Sequence, residues 1–235
     1  MTIKRQTTTR TRTFQRKGDN AVTYDLSRPG SVTITIPVGS RWSSEAHWHE
    51  THTEFLQILQ GRAFVRLGND IRVSAGKEGG VIEVPRYTVH EWHRVWQDDE
   101  DDEDDLVVRE WTVPEDGQKE AFFRMLNSFL TEDEPESLYE VPVPVPRMAR
   151  NWIERWIINV QLNCIFWACD NWPLLVGNDG RPGMVSWAAT HLVLGGSVAL
   201  GYLLGLRGRY SEYVGKEPGL TGREDGGKIG KKKVG

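Results

Sequence analysis

Cysteine and histidine are scarce in this chain, two of one and six of the other among 235 residues. The two cysteines, Cys164 and Cys169, lie five apart in an apolar segment. That spacing suits neither a zinc knuckle nor a Cys-x-x-Cys redox pair, and two cysteines make no disulfide framework. They read as buried free thiols of a protein in a reducing compartment. The opening stretch has no apolar core, which excludes a secretory signal. It is basic and acid-poor, as a mitochondrial transit peptide is, but it has no apolar face. Residues 1–19 therefore read as a disordered basic arm. A basic patch interleaved with aromatic residues is missing from the folded part, so nucleic acid is not an expected partner. The net charge of −4 is small but segregated: six Lys or Arg in residues 1–18, eight consecutive acids from Asp98 to Asp105, and Lys231-Lys232-Lys233 near the end. The acidic run lacks the glycine turn and spaced ligands of a calcium loop, and like charges repel, so it reads as a solvated loop.

What is present is β pattern, and with it a concentration of histidine. Ser31 to Pro37 alternates cleanly, Phe55 to Leu59 and Arg62 to Leu67 follow, and Gly68-Asn69-Asp70 signals a hairpin leading into Ile71 to Ala75. Val81 to Val84, Val89 to Trp96 and Leu106 to Val113 continue the series. Five of the six histidines (His47, His49, His52, His90 and His93) fall in two short segments of this region. On a strand His47 and His49 share one face. With Glu54 and His90 they offer three imidazoles and a carboxylate. Such mixed N and O donors suit iron, manganese, nickel, cobalt or zinc better than calcium or magnesium. His52 lies on the turn between strands and His93 faces away from His90, so supporting or surface roles are expected for both.

The spacing of His47, His49, Glu54 and Gly61, answered by Gly79, Pro85 and His90, resembles the two motifs of the cupin family. The resemblance covers about residues 20–115. It departs at Tyr87, where the family usually has a turn glycine, and at Arg94, where it usually has asparagine. It implies a mainly β fold, a small antiparallel jelly-roll-like barrel. A divalent metal would sit in its mouth, held by His47, His49, Glu54 and His90. Glu54 is then a candidate acid or base as well as a ligand, and Tyr87 a weaker catalytic candidate. Glu50, His52 and His93 are further groups near the mouth. Phe55, Phe64, Trp92 and Trp111 are expected to line the wall, which would suit a hydrophobic substrate.

Beyond the barrel, Glu115 to Leu130 has the apolar spacing of an amphipathic helix packed against it, closing a barrel unit over residues 20–131. Residues 132–150 form a linker whose Val-Pro repeats favour extended polyproline. Residues 151–209 read as an apolar α-helical hairpin, from Trp156 to Val176 and from Met184 to Leu206, around a Gly- and Pro-rich turn. The second segment has the length and apolarity of a membrane span, and Ser197, Gly201 and Gly205 make a small-residue stripe. Asp170 is costly in such a setting. Arginines on the outer flanks place the barrel on the cytosolic side of a membrane. The other reading is a cytoplasmic protein whose helical pair covers the barrel or a dimer interface. Residues 210–235 read as a disordered tail.

The arrangement is similar to small fungal cupins, some of them from secondary-metabolite pathways. That implies a metal-dependent isomerase, dehydratase or oxygenase step on a small hydrophobic metabolite. Two other classes compete: a non-catalytic small-molecule-binding module and a membrane-anchored scaffold. Exposed sheet edges in such barrels also allow a homodimer.

Overall fold

The alternating stretches form two antiparallel sheets facing each other. The computed structural model describes residues 5–75, 80–95, 104–132, 146–177 and 180–215. Gly79, the acids 98–103, the linker residues 133–145 and the tail from 216 lie outside the described residues. The strands are β1 (Thr13–Arg16), β2 (Val22–Asp25), β3 (Ser31–Ile36), β4 (His47–Trp48), β5 (Thr53–Gln60), β6 (Arg62–Leu67), β7 (Asp70–Ala75), β8 (Val81–Val84), β9 (His90–Arg94), β10 (Leu106–Val113) and β11 (Trp172–Pro173). One sheet has the order β1-β2-β3-β10-β5-β8, the other β11-β4-β9-β6-β7. Period-two burial along β3, β5 and β10 turns Val32, Ile34, Ile36, Leu56, Ile58, Leu106 and Val108 into one core between them.

Helix α1 (Gln118–Leu130) docks Phe122, Phe123, Met125 and Phe129 onto that core. Helices α2 (Arg147–Ala168) and α3 (Met184–Leu204) form the expected antiparallel pair, and α4 (Ser211–Val214) follows. The pair is not a separate appendage. β11, between its helices, pairs with β4, setting Trp172 opposite Trp48 and Pro173 opposite His47. The C-terminal region thus supplies an edge strand to the barrel.

Four boundaries differ from the sequence expectations. The linker expected to run to residue 150 ends by Pro146, because α2 already begins at Arg147. The basic arm is ordered from residue 5. Thr13 to Arg16 alternates well enough to pair with β2, burying Phe14 against Tyr24, while the Arg5 guanidinium lies 3.6 Å from the Tyr210 ring centroid. The described start of the tail is ordered for the same reason, since Tyr210 and Tyr213 are buried beside Arg5 and α1. The first hairpin helix ends at Ala168 and not near Val176, because Asp170 leaves the helix in a left-handed turn (φ 53°) to bond the barrel.

Among the described residues, one helix, α3, is long and apolar enough to cross a membrane. Its sidedness is inverted. Ser186, Thr190, Leu194, Ser197 and Gly201 face inward, whereas Val185, Leu192, Tyr202 and Leu203 are each more than 70% exposed. Gly201 is required for this contact: a Cβ there would come within 2.7 Å of Cys164 Sγ.

Candidate metal centre

Strand pairing assembles the site. His47 on β4 stands directly opposite His90 on β9, and their ring centroids are 4.2 Å apart. His49 follows one pleat later, its ring 5.1 Å from that of His47. Glu54 enters from the facing sheet, at an inward position of β5. The four donors lie within 4.8 Å of one another and all four residues are buried. Tyr87 holds the turn before β9. It adopts the left-handed conformation (φ 59°) that glycine usually fills, and its N–H donates to the His49 carbonyl at 2.7 Å. Its side chain is 44% exposed, so the turn's contribution is backbone positioning.

Hydrogen bonds aim the imidazoles. Nδ1 of His47 lies 2.7 Å from the Glu45 carbonyl, that of His49 2.6 Å from the Asp170 carbonyl, and that of His90 3.1 Å from the Thr88 carbonyl. A carbonyl can only accept, so these partners assign a proton to each Nδ1 and leave each Nε2 with a lone pair. Burial, followed by the neighbouring His90 and His49, holds His47 well below the ordinary imidazole range and therefore neutral. Yet Nε2 of His90 and of His49 face the same Glu54 oxygen at 2.7 and 3.2 Å. Lone pairs facing a carboxylate need a proton or a cation between them. Three Nε2 donors and one carboxylate, fixed by backbone acceptors, are the donor set of a divalent transition ion.

The sequence reading missed three residues here. Lys119, on the inward side of α1, contacts Glu54 Oε1 and lies 3.0 Å from Glu110 Oε2. Trp92 Nε1 donates to the other Glu110 oxygen at 2.7 Å. Burial drives Glu54 upward, but the Lys119 ammonium overcomes it and holds the carboxyl well below its usual range. Burial wins at Glu110, which stands at about 7 despite Lys119. Both acids in turn hold Lys119 protonated against its own desolvation. The third is Asp170. Its carboxylate accepts from the N–H groups of Glu50 and Thr51 at 2.9 Å, of His52 at 3.2 Å, from the Thr51 hydroxyl at 2.6 Å and from Trp172 Nε1 at 2.8 Å. Burial raises it, but the Thr51 hydroxyl and the Glu50 N–H bring it down to about 2. The signals were legible: Lys119 sits a turn ahead of Phe122 and Phe123 on the apolar stripe, and Glu110 has the inward parity of Leu106 and Val108.

The remaining candidates fall outside the cluster. His52 is buried between Asp170 and Asp116, 3.0 and 3.2 Å from their oxygens. His93 stacks on Phe64, and Glu50 accepts from Trp48 and Trp187 Nε1. Of the four expected wall aromatics only Trp92 faces inward. Phe55 stacks on Trp111, and Phe64 on His93, at half-buried positions of the opposite strand parity. The actual wall is Tyr24, Trp42, Phe122, Phe123, Leu126 and Phe166, around a cavity of about 350 Å³ that also reaches His47, Glu110 and Lys119.

No protein-family profile and no curated protein matches the chain. Solved structures do. KdgF from Halomonas sp. is 18% identical over 42% of this chain and 85% of that one, at a TM-score of 0.33. A cupin 2 conserved barrel domain protein from Rhodopseudomonas palustris is 16% identical over 43% and 69%, also at 0.33. The capsular polysaccharide assembling protein CapF from Staphylococcus aureus is 17% identical over 43% of this chain but only 30% of its own, at 0.33. This chain therefore matches about a third of the length of that protein. Two facing antiparallel sheets hold His47, His49 and Glu54 on one motif and bring His90 of the second into register with His47, the arrangement that the resemblance to the cupin motifs implies.

Proposed function

We propose that this protein is a metal-dependent enzyme acting on a small hydrophobic molecule. One observation carries the reading: the apolar cavity opens onto His47 and onto the buried Lys119–Glu110 pair. Its volume of about 350 Å³ is that of a small-ligand pocket. His47, His49, Glu54 and His90 would hold iron, manganese, nickel, cobalt or zinc, which supplies Lewis acidity, or oxygen chemistry in the case of iron, when bound. The chain's own groups do the rest. Tyr24, Trp42 and Phe123 bind the apolar body and exclude water. The Lys119 ammonium is placed to donate to an oxygen that gains charge. Glu110, near 7, can take a proton from the substrate and return it, the requirement of an isomerisation or dehydration.

The test is incubation of metal-loaded protein with an apolar metabolite extract, followed by mass spectrometry against a His49→Ala/His90→Ala control. A compound consumed only by the native protein supports the enzyme. Compounds retained unchanged by both proteins favour a binding module and contradict it.

The outward stripe of α3 supports a second element of the proposal, attachment to a lipid surface. A helix of 21 residues is about 31 Å long, close to the thickness of a bilayer core. Its exposed side carries no formal charge, while Arg147, Arg150, Arg155, Arg207 and Arg209 flank the pair, the bias expected of a cytosolic side. Flotation with liposomes checks this: protein remaining at the bottom of the gradient contradicts it.

A further inference from the structure

The cavity contains an arginine that pairs with no acid among the described residues. Arg16 closes β1, on the same inward side as the buried Phe14, and lines the cavity with Tyr24 and Trp42. Among the described residues its hydrogen-bond partner is the Tyr24 hydroxyl, over whose ring the guanidinium sits 5.0 Å from the centroid. Its Nε is buried and makes no hydrogen bond, and no ion pair engages it among the described residues. The acids of the lining do not supply one: Glu110 is bonded to Lys119 and Trp92, and Glu45 is exposed. A guanidinium has five donors in a rigid fork that matches a carboxylate, and a buried donor left unmade is costly. Lys119 lines the same cavity but is already shared by Glu54 and Glu110, which leaves the Arg16 guanidinium as the lining cation without an acid among the described residues. With Tyr24, Trp42, Phe123 and Phe166 around it, the site combines an apolar body with one unmatched positive charge.

We infer that the cavity selects an apolar anion, an aryl or alkyl carboxylic acid, whose acid group is held by Arg16 while its body lies against Tyr24, Trp42 and Phe123. This rests on the cavity being the substrate pocket of the enzyme proposed above. It goes beyond that proposal in assigning the substrate a charge and a point of attachment. Tyr24 has a positioning role, because its hydroxyl and ring hold the guanidinium in place.

Isothermal titration of the full chain with 2-naphthoate and with 2-naphthamide tests this, since the two probes have nearly the same shape and differ in charge. The native protein should bind the acid about ten- to a hundredfold tighter than the amide, the range of a charge-assisted hydrogen bond. Arg16→Met should abolish that preference and leave amide binding within about twofold, and Arg16→Lys should retain part of it. Metal content measured on the same samples should be unchanged by either substitution. Equal binding of the two probes by the native protein, or a preference that survives Arg16→Met, would overturn the inference. A preference lost in His49→Ala/His90→Ala but kept in Arg16→Met would assign the anion to the histidine cluster and overturn it as well, with the pocket itself intact. If neither probe binds at about millimolar concentration, both the inference and the pocket reading fall.

Discussion

The barrel and α3 solve burial in opposite ways. In the barrel, apolar side chains point inward along β3, β5, β6 and β10, and polar residues buried among them gather at one cluster: His47, His49, Glu54 and His90, with Lys119 and Glu110 beside them. In α3 the buried face is Ser186, Thr190, Ser197 and Gly201 around one leucine, and the apolar residues face out. The proposed lipid attachment rests on this outward apolar stripe, as the proposed chemistry rests on the polar cluster inside the barrel.

The two regions meet at Asp170, and the predictions follow that division. Replacing Lys119 by Met should have the largest effect on stability, about 3–5 kcal/mol, because it leaves Glu54 and Glu110 buried beside each other without their shared cation. Chemical denaturation measures this, and a loss below about 1 kcal/mol would remove Lys119 from the centre of the account. Asp170→Ala should cost about 2–3 kcal/mol, since three backbone N–H groups of the metal loop lose their acceptor. It should also weaken metal binding about ten- to a hundredfold, because the loop that carries His49 loses its anchor. The pH dependence has a defined sign. Asp170 is depressed from 3.8 to about 2, so its stabilisation is complete above 3.8 and is lost as pH falls through about 2. Native protein should therefore show an acid transition in that window that Asp170→Asn lacks.

Substitutions on the helix should do the reverse. Leu192→Asp with Leu203→Lys should abolish liposome flotation while changing the unfolding free energy by less than about 0.5 kcal/mol, as expected at exposed sites. Destabilisation as large as that of Asp170→Ala would mean that the stripe packs against protein. The smallest effect is at the turn. Tyr87→Gly should be neutral or stabilising by up to about 1 kcal/mol, because glycine accepts the left-handed backbone that tyrosine strains to adopt.

Much of this was legible in the sequence. Period-two alternation marked the barrel strands, and the spacing of His47, His49, Glu54 and His90 marked the residues that the fold brings together. The rest depended on tertiary contacts. A four-residue strand such as Thr13 to Arg16 carries little pattern by itself, and its partner, β2, decides that it forms. Phe55 and Phe64 read as wall residues by type, but strand parity sends them to the other face. Asp170 read as a cost within an apolar span. The helix ends just before it, and the aspartate then serves as the acceptor for the metal loop about 120 residues earlier. No local signal announces a partner at that separation.

The proposed chemistry depends on a metal held by the histidine cluster. Elemental analysis of the full chain, purified without chelator or affinity tag, decides whether one is there. Native protein should carry about one equivalent of iron, manganese, nickel, cobalt or zinc, lost in His49→Ala/His90→Ala protein that keeps its β circular-dichroism spectrum. A native protein that binds none of these ions, even after anaerobic reconstitution, would contradict it.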